Sequence, residues 1–197
     1  EVHATMHWTW RQPGDETGRI CKAAHTVNNF CINVNSNWPR CTSCHVGYGW
    51  KDASFDFASE EKVDCLICHE QTGTYKKFPK GAGYPAKEPT MFNGKLFEPP
   101  NWSEVAQSVG SPSLRNCGVC HFYGGGGDAV KHGDLDSTML TASRELDVHM
   151  SQDGAGLTCQ DCHTTLDHQM AGRNYTLPAS AKDVTFAEAG VTSQMAC

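Results

Sequence analysis

No run of 18 apolar residues occurs in the 197-residue sequence, so no segment reads as a membrane-spanning helix. Basic residues are in the minority, with 16 Lys and Arg against 22 Asp and Glu. The formal net charge of −6 and the lack of a basic patch argue against a nucleic-acid partner. Hydrophobic residues make up only 39% of the chain, and 19 glycines and nine prolines break up its periodic segments. An interior built from side chains alone would be modest for this length. There is no internal repeat outside the motifs described next, and turn chemistry is dense at Pro13-Gly14, Lys80 to Gly83, Glu98 to Asn101 and Gly124 to Gly127. The last of these lacks the Gly-Lys-Ser/Thr ending and the preceding strand of a phosphate cradle.

Cysteine and histidine are what the chain has in quantity. Four pentapeptides share the pattern Cys-x-x-Cys-His: Cys41-Thr42-Ser43-Cys44-His45, Cys65-Leu66-Ile67-Cys68-His69, Cys117-Gly118-Val119-Cys120-His121 and Cys159-Gln160-Asp161-Cys162-His163. On a helical turn, residues i, i+3 and i+4 lie on one face. Two thiols can then reach the two porphyrin vinyl groups while the histidine meets the iron, which is the signature of c-type haem attachment. Structural zinc also uses Cys-x-x-Cys pairs, but it does not require a histidine directly after the second cysteine in all four copies. Four haems, one iron each, are therefore the expected cofactors, with His45, His69, His121 and His163 as proximal ligands. Their flat apolar faces would complete the core that the side chains leave thin, and the glycine run at 124–127 would let backbone pass close to a porphyrin.

Ten histidines are present, so six remain as candidate distal ligands: His3, His7, His25, His132, His149 and His168. Four are needed if every iron takes two histidines, and bis-histidine iron has no open position, which favours electron transfer over substrate chemistry. Eleven cysteines less eight leave Cys21, Cys31 and Cys197. In an exported protein this suggests one disulfide, with Cys21 and Cys31 the nearest pair in sequence, and one further thiol. Three unpaired thiols remain the alternative. Haem is ligated to this motif outside the cytoplasm, so the chain reads as a mature exported protein whose targeting segment has been removed.

The expected fold is a single tetrahaem domain over 1–197, mostly irregular loops with a few short helices wrapped around stacked haems. Motif spacings of 24, 52 and 42 residues predict close contact between the first two haems. Thr158 with Asp161 predicts a capping box, and Asn116 a cap for the third motif. Ser103 predicts a helix over 104–109, Ser143 another over 144–150 carrying His149, and the segment from Ser59 to Asp64 a capped turn into the second motif.

From Thr5 to Arg173 the chain resembles the octahaem tetrathionate reductase family of multihaem cytochromes. The resemblance is carried by Thr5-Met6-His7-Trp8-Thr9-Trp10, Val27-Asn28-Asn29-Phe30-Cys31, the stretch from Cys44 to Asp52, Thr72-Gly73-Thr74-Tyr75-Lys76-Lys77, and the stretches 124–136, 144–150 and 163–173. The family's haem motif ahead of the His-Trp-Thr-Trp segment and its later haems have no counterpart in this sequence. The resemblance implies a lysine-ligated catalytic haem, for which Lys131 is the matching lysine, with Asp128 and Cys31 beside it. His25 falls where the family has no counterpart and is available to replace that lysine. The chain is equally similar in size and haem content to the small tetrahaem cytochromes of the outer-membrane cytochrome E type, which polymerise into extracellular nanowires. This second resemblance implies an electron-transfer subunit of a head-to-tail filament at the cell surface, with His3 or His7 ligating a haem of the neighbouring subunit and other cytochromes or extracellular acceptors as redox partners. The alternatives are a reductase of tetrathionate or nitrogen oxyanions at Lys131, and a monomeric periplasmic shuttle. Mass spectrometry of the denatured protein is expected to show four haem adducts on the eight motif cysteines. Unmodified thiols with bound zinc would contradict the reading.

Overall fold

The computed structural model describes residues 1–10, 32–132, 134–163 and 165–170. Regular structure is sparse and short. Six α-helices are present among these residues: α1 (Met6–Thr9), α2 (Trp38–Cys41), α3 (Leu66–His69), α4 (Trp102–Gln107), α5 (Leu114–His121) and α6 (Cys159–Cys162). Isolated helices of this length are not stable in water, so packing rather than propensity holds them. Helices α3 and α6 lie within Cys-x-x-Cys-His motifs and α5 contains one, while the first motif takes the end of α2 and a following 3-10 turn (Thr42–Cys44).

Two hairpins complete the regular elements. Strands β1 (Thr90–Phe92) and β2 (Lys95–Phe97) are antiparallel, with Thr90 opposite Phe97 and Phe92 opposite Lys95. Asn93-Gly94 turns between them with both φ positive, the Asn-Gly chemistry of a two-residue hairpin. Phe92 and Phe97 pack their rings on Phe78. Strands β3 (Thr165–Leu166) and β4 (Gln169–Met170) form the second hairpin, and its two-residue turn is Asp167-His168, again with positive φ at both positions. Asp and His are among the non-glycine residues that tolerate this region. The turn leaves His168 at the hairpin tip.

Two small apolar clusters form the side-chain core. The larger gathers Trp8, Val46, Trp50, Phe55, Ile67, Tyr75 and Val105 around the first two motifs, and the smaller holds Phe122, Met139 and Ala142 behind α5. Twelve large apolar residues stay exposed among the described residues, among them Trp102, Tyr123, Val130, Leu146 and Val148. The segment after the first motif pairs with the one leading into the second: Tyr48 N donates to Lys62 O, and Asp64 N to Val46 O, each at 2.9 Å.

Several local expectations hold and others shift by a residue or fail. Thr158 and Asp161 form the capping box of α6. For α5 the cap is Ser113, and Asn116 is its reciprocal partner one turn later. Helix α4 begins one residue before Ser103, because Asn101 caps it by accepting from Glu104 N. Residues 144–150 form turns and no helix. Ser143 Oγ accepts from Leu146 N, but Asp147 then accepts from His149 N and Met150 N and draws the chain out of a helical course. Ser59 precedes a 3-10 turn (Glu60–Lys62) without a side-chain cap bond.

Candidate functional site

The third motif is a junction. Asn116, one residue ahead of Cys117 on α5, donates from Nδ2 to Glu70 O at 2.9 Å, just past the second motif. Its Oδ1 meanwhile accepts from Ser113 N at 2.9 Å and Ser113 Oγ at 2.6 Å. One buried amide thus caps its own helix and ties α5 to the end of α3. The Cys120 thiol meets Cys44 of the first motif, and the Cys117 thiol meets Cys159 of the fourth. These thiol contacts, and then burial, push Cys120 and Cys117 up, whereas the bond from Cys117 draws Cys159 down to about 7. Gln160 Nε2 donates to Pro112 O, which joins the fourth motif to the approach of α5. All eight motif thiols are free of disulfides.

The motif histidines differ in what their nitrogens do. His69 Nδ1 lies 2.9 Å from Gly110 O, and because a carbonyl only accepts, Nδ1 carries the proton and Nε2 keeps the lone pair. This is the arrangement that orients a metal-binding imidazole. The ring of His168 stands opposite, with centroids 6.3 Å apart and planes at 75°. His168 Nδ1 is 3.4 Å from the Glu1 carboxylate, so its other nitrogen is also free of that bond. His7 faces His121 in the same way, at 6.2 Å and 78°. Burial, followed by the neighbouring His121 and His163, lowers His7 to about 4, which keeps it neutral at pH 7 as a ligand must be.

His45 is different. It is wholly buried, enclosed by Trp8, Trp10, Trp50, Phe55 and Phe57. Its Nε2 donates to Trp8 O at 2.6 Å, while Nδ1 has no hydrogen-bond partner. Burial lowers it to about 4. The four motifs therefore fit haem unequally. The second and third each have a further histidine ring beside the motif histidine, at 6.3 and 6.2 Å between centroids. The first has a buried imidazole nitrogen without a partner but an aromatic cage around the ring, and a porphyrin fits there only if the cage opens.

No family model matches the chain. An uncharacterised protein from Archaeoglobus fulgidus is 32% identical over 140 residues, covering 66% of this chain and 45% of the relative. The crystal structure of the octahaem cytochrome c from Shewanella oneidensis matches with a TM-score of 0.69 and 47% identity, over 87% of this chain and 36% of that one. The chain is related to a multihaem cytochrome c. It spans less than half the length of either relative. A framework of loops and short helices accords with that match.

Of the six candidate distal histidines, the structure brings His7 and His168 to motif histidines of their own chain. His3 meets Trp8 edge-on at 4.8 Å and bonds Ser59 O, so Trp8 separates it from His45. His132 and His149 lie at the surface, His149 beside Asp147 at 3.8 Å. His25, Cys21, Cys31 and Cys197 lie outside the described residues. Lys131 is exposed, and both oxygens of Asp128 accept from Ser137. Sequence reasoning missed Gly110, Asn116 as an inter-motif tie, and a quartet of buried Asp64, Lys77 and Tyr75 with half-buried Tyr48. None of these follows from spacing, since each acts across at least ten intervening residues. Asn116→Ala is expected to cost about 1–3 kcal/mol, because it removes the α5 cap partner and leaves the Glu70 carbonyl without its donor. Denaturant unfolding measures this, and a loss under 0.5 kcal/mol would show that the tie is slack.

Proposed function

We propose that the chain is an exported tetrahaem cytochrome that relays electrons through bis-histidine haems as the repeating subunit of an extracellular filament. The carrying observation is the two opposed histidine pairs. An imidazole nitrogen binds a first-row metal at about 2.0–2.1 Å, which sets two rings on opposite sides of one ion at about 6.2 Å between centroids. The pairs His7–His121 and His69–His168 stand at 6.2 and 6.3 Å. On this reading, Cys65, Cys68, His69 and His168 hold one haem, and Cys117, Cys120, His121 and His7 hold another. Cys41, Cys44 and His45 hold a third, and Cys159, Cys162 and His163 a fourth.

Haem iron supplies a one-electron ferric–ferrous couple when bound. Two histidines would hold each iron, which would leave no position for substrate. Gly110 O fixes the tautomer of His69, and Glu1 stands at Nδ1 of His168. The exposed apolar residues suit surfaces that porphyrins cover. The junction at α5 suits a relay, because one motif touches segments of the other three.

The filament part of the reading rests on the resemblance to nanowire subunits. His7 lies against His121 of its own chain, and His3 would leave Ser59 O and the Trp8 ring to reach a neighbouring subunit. A head-to-tail contact of this kind grows into a fibre when its rotation does not close. Electron micrographs of the purified protein are expected to show filaments, and His3→Ala to show none while four haems are retained. In EPR, the wild type is expected to be wholly low-spin, with His7→Ala and His168→Ala each producing one high-spin haem. Monomers in the micrographs would favour a shuttle. A high-spin haem in the wild type that binds carbon monoxide when reduced would favour the reductase at Lys131.

A further inference from the structure

Between the first two motifs lies an enclosed polar cluster that haem attachment does not use. Asp64 immediately precedes Cys65 and is 2% exposed, and Lys77 is 7% exposed. Lys77 Nζ stands 3.0 Å from Asp64 Oδ2 and donates to the carbonyls of His45 and Gly47. The Tyr48 hydroxyl donates to Asp64 Oδ1 at 2.8 Å and the Tyr75 hydroxyl to Oδ2 at 2.9 Å, with Ile67 N adding a donor at 3.2 Å. Burial and then the Asp64 charge push both phenols well above the ordinary tyrosine range, so they remain donors.

A buried ion pair is weak evidence of added stability, since desolvation offsets much of the attraction. What such a pair does well is fix charge and geometry. Here the anion sits one residue from the second motif, and the cation clamps the backbone carbonyl of the first motif's histidine. In a water-poor interior these charges act on a nearby redox centre far more strongly than surface charges do.

We propose that the Lys77–Asp64–Tyr48–Tyr75 cluster is a fixed-charge element that sets the potential of the haem held by Cys65, Cys68 and His69, with Lys77 as the positioning residue between the first two motifs. The proposal rests on the reading of the chain as a haem electron carrier. An anion close to the iron favours the more positive ferric state and holds the potential down, and the lysine and the two hydroxyls limit that effect. Removing either charge therefore shifts the potential in a direction set by its sign.

The test is a spectroscopic redox titration of the haem-loaded protein, with haem content measured alongside. Asp64→Asn is expected to raise the potential of one haem and Lys77→Met to lower that of the same haem, with Lys77→Arg close to wild type. Tyr75→Phe keeps the ring's packing and removes one donor to Asp64, so it lowers the same potential by less than Lys77→Met. This variant carries the test if a charge variant does not fold. Potentials that stay at the wild-type values in Asp64→Asn and Tyr75→Phe would overturn the proposal. So would shifts of the same sign in Asp64→Asn and Lys77→Met, since these report loosened packing. A wild-type protein without c-type haem would instead contradict the electron-carrier reading, whereas full haem content with unmoved potentials contradicts the cluster's role alone.

Discussion

The constraint on which the rest depends is the placement of α5. Its capping amide, Asn116, reaches the end of α3, and its two motif cysteines meet thiols of the first and fourth motifs. Among the described residues, no sheet beyond two hairpins and no helix bundle holds the four motifs in register. A helix of eight residues does that by touching each of the other three. Gly118 in the middle of α5 shows how closely the junction is packed, because a Cβ there would come within 2.3 Å of the Phe122 ring. Phe122 is the centre of the smaller apolar cluster, so the junction and the core behind it are a single packing problem.

The second theme is an economy of apolar burial. Thirteen apolar residues form the buried side-chain core of the described chain, and almost as many large apolar residues remain exposed. An ordinary domain of this size buries more of its own hydrophobic surface. The protein invests instead in polar placement: carbonyls at His69 and His45, a carboxylate at His168, and an enclosed ion pair between the first two motifs. These groups contribute little net stability, but they fix nitrogens and charges where an iron couple would feel them.

The proposed haem-attachment chemistry can be read from the sequence because it is local. Five consecutive residues state it, and the capping box at Thr158 and Asp161 is read as easily. Distal ligands are less legible, since any of six histidines could serve. The structure places His7 beside His121 and His168 beside His69, contacts 114 and 99 residues apart in sequence that no spacing rule reports. The helix expected over 144–150 failed because Asp147, a good acceptor for its own following amides, turns the chain there. Lys77 gave no signal at all: in Tyr75-Lys76-Lys77 nothing distinguishes the buried lysine from the exposed one beside it.

A structure of the haem-loaded protein that locates the irons tests the central claim most directly. Four irons are expected, with that of the third motif adjacent to each of the other three. A row of irons with the third motif's at one end would contradict it.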